Sequence, residues 1–246
     1  MKHFFVPADQ VTGKTFTILG NDVNHIRNVL RMKPGEELSV SNGRDGREYR
    51  CGIVAIEEDR VVCALRFIKE AAVELPSKVY LFQALPKADK MELIIQKTVE
   101  LGVHEIIPVA CARCVVKLDP AKARVKAGRW QSLAEAAAKQ SGRGIVPKVA
   151  PVTTFPKALE YAAAMDVKLI PYELEEGMGR TKEALGSLNA GQTVAVFIGP
   201  EGGFEETEVK RARDVGSIPI TLGKRILRTE TAGLTLMAWI MYQLEE

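Results

Sequence analysis

Thr193-Val194-Ala195-Val196-Phe197-Ile198-Gly199-Pro200-Glu201-Gly202-Gly203-Phe204-Glu205 is the stretch that decides the fold. Its first six residues are almost all apolar and rich in β-branched side chains, the mark of a strand buried on both faces. Glycine and proline then stop the strand, and a helical period opens at Glu205 and runs to Val215. Strand, glycine loop and helix in succession form the repeating unit of a parallel sheet. Working outward from it, strands are expected at residues 79–84, 105–110, 167–171, 193–198 and 217–221. Helices are expected at 89–101, 120–141, 155–164, 205–215 and 229–243. Asp89 and Thr229 stand where helix N-caps belong, and Gly102 where a C-cap belongs. The class is α/β, a parallel sheet with helices on both faces. In such sheets ligands gather at the carboxyl ends of the strands, so the loops after the last strands are the candidate site.

The first 70 residues follow a different pattern. A strand signal at residues 4–6 precedes a short helix over about 21–30, which Asn21 or Asp22 can cap. Strands are then expected at 37–41, 48–56 and 60–68. Asn42-Gly43 and Asp45-Gly46 lie between the first two as hairpin signals. Short strands with tight turns predict a small β-barrel. The boundary falls near residues 70–76, giving domains 1–72 and 73–246.

Composition sets the outer limits. Of 246 residues, 46% are hydrophobic and 26% charged, which fits a globular protein and excludes a disordered or collagen-like chain. No apolar run approaches the roughly 20 residues of a membrane helix. The opening residues, broken by Pro7 and Asp9, lack the apolar core of a secretory leader, so the expected location is the cytosol. A net charge of +3 permits a polyanionic partner without requiring one. Cys51 and Cys63 sit in apolar strand runs and read as packing. Cys111 and Cys114 have CxxC spacing, but no second CxxC or paired histidine supplies the other two ligands of a zinc site. They read as strand-end packing residues or as a redox pair, and no metal is expected.

Five segments can carry chemistry. The glycine loop at 199–203 lacks the Lys-Ser/Thr of a P-loop, and Glu201 would repel phosphate, so it suits a cation or hydroxyl group better. Residues 222–232 bring Lys224, Arg225 and Arg228 together ahead of Thr229-Glu230-Thr231 at a helix start. They form either a solvated charge cluster or a polyanion site beside a small-molecule pocket. In the small domain His25, Arg27, Arg31, Arg44, Arg47 and Arg50, with Lys2 and His3, form either a phosphate-binding face or an ordinary solvated one. Lys87 and Lys90 stand at a strand mouth, and Gln140 and Arg143 at the end of an alanine-rich helix.

Five of these stretches carry a family resemblance. They are His25-x-x-x-Val29-Leu30-Arg31, residues 97–103, Gln140-Ser141-Gly142-Arg143, residues 198–204, and Leu222-Gly223-x-Arg225-Ile226-Leu227-Arg228-Thr229-Glu230-Thr231-Ala232. Over nearly its whole length the chain resembles the bacterial 16S rRNA uridine-N3 methyltransferases of the SPOUT superfamily. The resemblance implies an N-terminal PUA-like β-barrel that binds RNA, then a SPOUT α/β domain with a C-terminal trefoil knot. General topology rules argue against a knot, and only the resemblance suggests one. It further implies S-adenosyl-L-methionine as methyl donor, a homodimer, and a uridine of the assembled small subunit as target, uridine 1498 of the decoding region. The residues expected at the cofactor are Ile198, Gly199, Glu201, Gly202, Gly203, Leu222, Gly223, Ile226, Leu227, Arg228 and Thr231. Arg228 is the expected stabiliser of a uridine anion and Glu230 the expected base, unless Glu230 serves only the helix terminus. Lys2, His25, Arg27, Arg31, Lys87, Lys90, Arg113 and Arg143 are expected at RNA. Lys2 stands where the family often has arginine, and Arg113 is read as the retained family residue between two incidental cysteines. The rival readings are methylation of another RNA nucleotide and a non-catalytic ribosome assembly factor.

Overall fold

The computed structural model of the chain describes residues 2–70 and 73–245. Its contacts divide into two units. One comprises Met1–Glu74 and Ala138–Val146; the other comprises Leu75–Ala137 and Pro147–Glu246.

The first unit is built on a six-stranded sheet. Its strands are β1 (His3–Phe5), β2 (Val11–Thr12), β3 (Thr15–Leu19), β4 (Glu37–Ser41), β5 (Arg47–Ile56) and β6 (Arg60–Glu70), ordered β1-β4-β5-β6-β3-β2. β1 runs parallel to β4, and the other pairs are antiparallel. Phe4, Phe16, Ile18, Ile26, Leu38 and Val40 fill the core. Cys51 and Cys63 lie in it, and burial pushes their thiols up to about 11 and about 12, as expected of packing residues. The sequence pattern misses β3, because only Phe16 and Ile18 face inward and two alternating residues make a weak signal. The helix α1 (Asn21–Asn24) passes into a π-type turn over His25–Val29. Neither Asn21 nor Asp22 caps it. Gly20 holds that position, and the Asp22 carboxylate accepts from Lys139 Nζ at 2.5 Å instead.

Ala138–Val146 completes this unit, although the sequence boundary places it in the other. Val146 donates its N–H to Gly43 O at 3.0 Å. Gly144 and Ile145 donate theirs to Glu74 Oε1 at 3.2 and 3.1 Å. A Cβ on Gly144 would stand 2.8 Å from the Gly46 backbone, so only glycine fits there.

The second unit is a parallel α/β sheet. In chain order its elements are β7 (Lys78–Ala84), α2 (Lys90–Glu100), β8 (Glu105–Ala110), α3 (Pro120–Ser141), β9 (Lys148–Val149), β10 (Thr153–Thr154), α4 (Phe155–Ala162), β11 (Val167–Pro171), α5 (Gly179–Gly186), β12 (Thr193–Ile198), α6 (Glu206–Asp214), β13 (Ile218–Ile220) and α7 (Thr229–Leu244). The order is β10-β8-β7-β12-β11-β13, with β9 beside β8, and every pairing is parallel. β7 and β12 lie at the centre, where Phe82 and Phe197 stack at 4.5 Å. Two-residue strands (β9, β10) and a helix with glycine at both ends (α5) carry too little periodicity to be read from sequence. Asp89 holds the N-cap position of α2, as expected, but makes no side-chain cap bond. Thr229 is the first residue of α7, with Arg228 in the cap position. No helix among the described residues is long and apolar enough to cross a membrane.

Candidate functional site

Strand order makes the site. β12, β11 and β13 are neighbours, and the loops leaving their carboxyl ends enclose a cavity of about 340 Å³. Pro171 ends β11, and Tyr172 and Glu173 follow it. Ile198, Gly199, Pro200, Glu201, Gly203 and Phe204 follow β12. Residues 221–229 follow β13, and Ala232 from α7 completes the wall.

Of the expected cofactor residues, Ile198, Gly199, Glu201, Gly203, Leu222, Gly223, Ile226, Leu227 and Arg228 line this cavity, while Gly202 and Thr231 do not. Sequence reasoning misses Tyr172 and Glu173. Nothing in their own stretch marks them, because only the pairing of β11 between β12 and β13 brings them in.

The loop after β12 is tied to four other segments. Gly199 O accepts from Thr229 Oγ1 at 2.6 Å. Glu201 Oε1 accepts from Lys87 N at 3.0 Å and from Lys90 Nζ at 3.1 Å. Gly202 O accepts from Arg113 Nη1 at 3.0 Å. Glu205 and Glu208 then form a capping box at the start of α6, and Glu208 also accepts from Ala112 N at 3.0 Å. Burial pushes the Glu201 carboxyl up, but the Lys87 N–H and the Lys90 ammonium outweigh it and hold it below the usual carboxylate range.

Lys90 is shared. Its Nζ lies 3.2 Å from Glu230 Oε2 as well as 3.1 Å from Glu201, and the hydrogen bond to Glu201 leads in raising its pKa. Lys90 therefore binds the loop as a structural cation, and only Lys87 of the expected pair has an exposed side chain at this mouth. Glu230 stands in the first turn of α7, beside Lys90. Arg228 is exposed, and no ion pair or hydrogen bond engages its guanidinium among the described residues. Cys111 and Cys114, just past the end of β8, are buried and form no disulfide. The Cys111 thiol hydrogen-bonds the Cys114 sulfur, which lowers the Cys114 pKa. Among the described residues no cluster of three or more His, Cys, Asp or Glu side chains could hold a metal.

In the first unit Lys2, His25, Arg27 and Arg31 are exposed, and Arg31 has a left-handed backbone with φ of 53°. Arg143 departs from the expectation. It is only 4% exposed, and its Nη2 lies 2.5 Å from Glu74 Oε2. A buried, ion-paired guanidinium holds the unit together and does not present itself to RNA.

Comparison with known proteins agrees with both units. Residues 73–241 match the RNA methyltransferase domain family, and residues 18–65 match the PUA domain of RNA methyltransferases. The chain is 41% identical to the ribosomal RNA small subunit methyltransferase E of Bacillus subtilis, over 94% of this chain and 91% of that one. It is 32% identical to the protein of the same name from Mycobacterium bovis, over 93% and 87%. The crystal structure of a ribosomal RNA small subunit methyltransferase E from Neisseria gonorrhoeae, bound to S-adenosyl methionine, superposes with a TM-score of 0.85 at 33% identity, covering 98% of this chain and 97% of that one. An RNA methyltransferase domain over most of the chain, a PUA domain ahead of it and near-full-length identity to these enzymes place the chain in the ribosomal RNA small subunit methyltransferase E family.

Proposed function

We propose that this protein transfers a methyl group from S-adenosylmethionine to N3 of a uridine in 16S rRNA, uridine 1498 of the assembled small subunit. The cavity carries the reading: it lies at the strand ends of a chain of this family. Its residues fit the methyl donor. Ile198, Phe204, Leu222, Ile226 and Leu227 give an apolar wall for a purine ring. Glu173 and Glu201 put carboxylates where a molecule with a cationic sulfur and an amino group needs them. Main-chain groups of Gly203 and Gly223 are free of side-chain cover, and a Cβ on Gly203 would reach within 3.7 Å of the Glu173 carboxylate.

When bound, S-adenosylmethionine supplies an electrophilic methyl group. The protein's task is to hold uridine N3 in line with it and to manage the N3 proton. Glu230, next in the chain to the cavity-lining Thr229 and with its Oε2 3.2 Å from Lys90 Nζ, takes that proton in this reading. Arg228, two residues away and unpaired, stabilises the charge that spreads onto the uridine oxygens. Gly202 and Thr231, which do not line the cavity, act at its rim. Arg113 supports the loop through Gly202, and Lys87 extends toward RNA. Lys2, His25, Arg27 and Arg31 meet phosphates from the first unit, whose sheet order and enclosed core support a PUA-like barrel.

The convergence of the loops after β12 and β13 on one cavity supports a trefoil knot there. Exposed Ile226 and Tyr242 support a homodimer. A cytoplasmic location follows from an rRNA substrate.

The test is transfer of labelled methyl from S-adenosylmethionine to small subunits lacking the modification, followed by nucleoside analysis. Label in 3-methyluridine is the expected result. Label in another nucleoside would keep the fold and donor and overturn the target. No label and no donor binding would favour an assembly factor.

A further inference from the structure

Gln83 and Thr229 lie outside the roles assigned above, yet they join three segments at the cavity. Gln83 is the penultimate residue of β7 and is fully buried. Its Nε2 donates to Ala84 O at 3.0 Å and to Thr229 Oγ1 at 2.9 Å. The carbonyl of Ala84 can only accept, so the amide is fixed with its nitrogen toward Thr229. The Thr229 hydroxyl, also buried, has one proton and gives it to Gly199 O at 2.6 Å. The direction of every bond is therefore set, from β7 through the first residue of α7 to the loop after β12. Gly199 precedes Pro200, so the peptide between them has a carbonyl and no N–H. Its one polar group is the one the relay takes.

We propose that Gln83 and Thr229 are positioning residues for methyl transfer, acting through the Gly199 carbonyl. The relay fixes the Gly199–Pro200 peptide, and with it the wall formed by Gly199, Glu201 and Gly203. It also fixes the start of α7, where Arg228 and Glu230 flank Thr229. One chain of hydrogen bonds thus sets the donor pocket and the reacting side chains in a common frame. Gln83 Oε1 has no hydrogen-bond partner and faces Gly233, 3.5 Å from where a Cβ would lie. An amide kept buried with its oxygen unsatisfied is costly, and its return is the pair of bonds from Nε2 to Ala84 O and Thr229 Oγ1, of which only the second reaches another segment. The inference rests on the methyl-donor reading above only for its consequence, since the relay itself belongs to the free protein.

Thr229→Val keeps the shape and removes the hydroxyl; Thr229→Ser keeps the hydroxyl. Gln83→Met, which keeps the length of the side chain, is a second way to cut the relay. Three readouts separate the possibilities: amide hydrogen exchange over residues 197–207 in the free protein, calorimetric affinity for S-adenosylmethionine and S-adenosylhomocysteine, and kcat against KM. Thr229→Val and Gln83→Met should speed exchange in that loop about tenfold or more. Thr229→Val, which strips the Gly199 carbonyl of its hydroxyl donor, should weaken donor binding by about ten- to a hundredfold, and Gln83→Met, which leaves that hydroxyl in place but unanchored, by about fivefold or more. Both should lower kcat as well, and Thr229→Ser should recover most of each effect. Exchange and donor affinity unchanged in both variants, with melting as in the natural protein, would overturn the proposal. So would equal losses in Thr229→Ser and Thr229→Val. If the natural protein binds no S-adenosylmethionine while exchange still rises in the variants, the methyl-donor reading fails and the relay stands.

Discussion

The loop after β12 and the loop after β13 leave the same edge of one sheet, carry glycine, and lead into helices, but only the first is tied down. Residues 199–205 are held by Thr229, Lys87, Lys90, Arg113 and a capping box. The second loop is anchored at its start, where Thr181 Oγ1 donates to Thr221 O at 2.8 Å and accepts from Thr221 N at 3.1 Å. Beyond Gly223, no side chain of Lys224, Arg225 or Arg228 makes an ion pair or hydrogen bond among the described residues, and Ile226 is 93% exposed. The contrast divides the labour. The first loop is a fixed wall against which a ligand is placed. The second keeps its cations and its apolar side chain available for what arrives from solution.

The largest effect should come from the free loop. Arg228→Met should lower kcat by about 10²–10³-fold, the usual loss when a group stabilising developing charge is removed. Calorimetric affinity for S-adenosylmethionine should stay within about threefold. A matching loss of affinity would show that Arg228 belongs to the wall.

Next are the two left-handed glycines. Gly203 has φ of 67° and Gly223 has φ of 109°. Alanine at either should cost about 1–2 kcal/mol from the backbone alone if the loop cannot relax. The loop after β12 cannot, and the new methyl would point at the Glu173 carboxylate. Gly203→Ala should therefore weaken donor binding about tenfold or more. Nothing lies within 4 Å of a Cβ on Gly223, and its loop can adjust, so Gly223→Ala should cost only about two- to threefold. Equal losses would erase the distinction between the loops.

Lys90→Met tests the clamp on Glu201. Donor affinity should fall about five- to tenfold, and the pH response should change sign-consistently with the lowered Glu201 pKa. A carboxyl held below its ordinary value of 4.5 keeps its anchoring role above that pH and loses it as pH falls through the folded value. Affinity in the natural protein should thus persist below pH 4.5, whereas in Lys90→Met it should begin to fail at higher pH. Titration of affinity against pH in both proteins decides this.

Smallest are the solvent-facing cations. Arg225→Ala and Lys224→Ala should each reduce the salt dependence of binding to small ribosomal subunits by about one phosphate contact. Donor affinity should not move.

Legibility in the sequence follows the same physics. Five strands of the α/β unit are readable because each is dominated by apolar residues, and β8, β11 and β12 have the bounds expected from the sequence. β3, β9, β10 and α5 were not, because short or glycine-bounded elements owe their form to neighbours. The residues of the cavity's two glycine-bearing loops were visible as motifs. Tyr172 and Glu173 were not, since strand order alone brings β11 between β12 and β13. Charge was the most misleading signal. Lys90 and Arg143 look like RNA contacts in sequence, but both are engaged by carboxylates that lie far away along the chain, Glu201 and Glu230 for one and Glu74 for the other.

Arg143 also bears on how the protein is made. The strands of the first unit leave the ribosome long before residues 138–146 do. Until then Glu74 has no guanidinium to pair with, and Gly43 O has no Val146 N–H to accept from. The unit is closed by a segment encoded after β7, α2, β8 and most of α3. Its completion therefore waits on translation of much of the catalytic unit, and a fragment cut at residue 74 would lack its last piece.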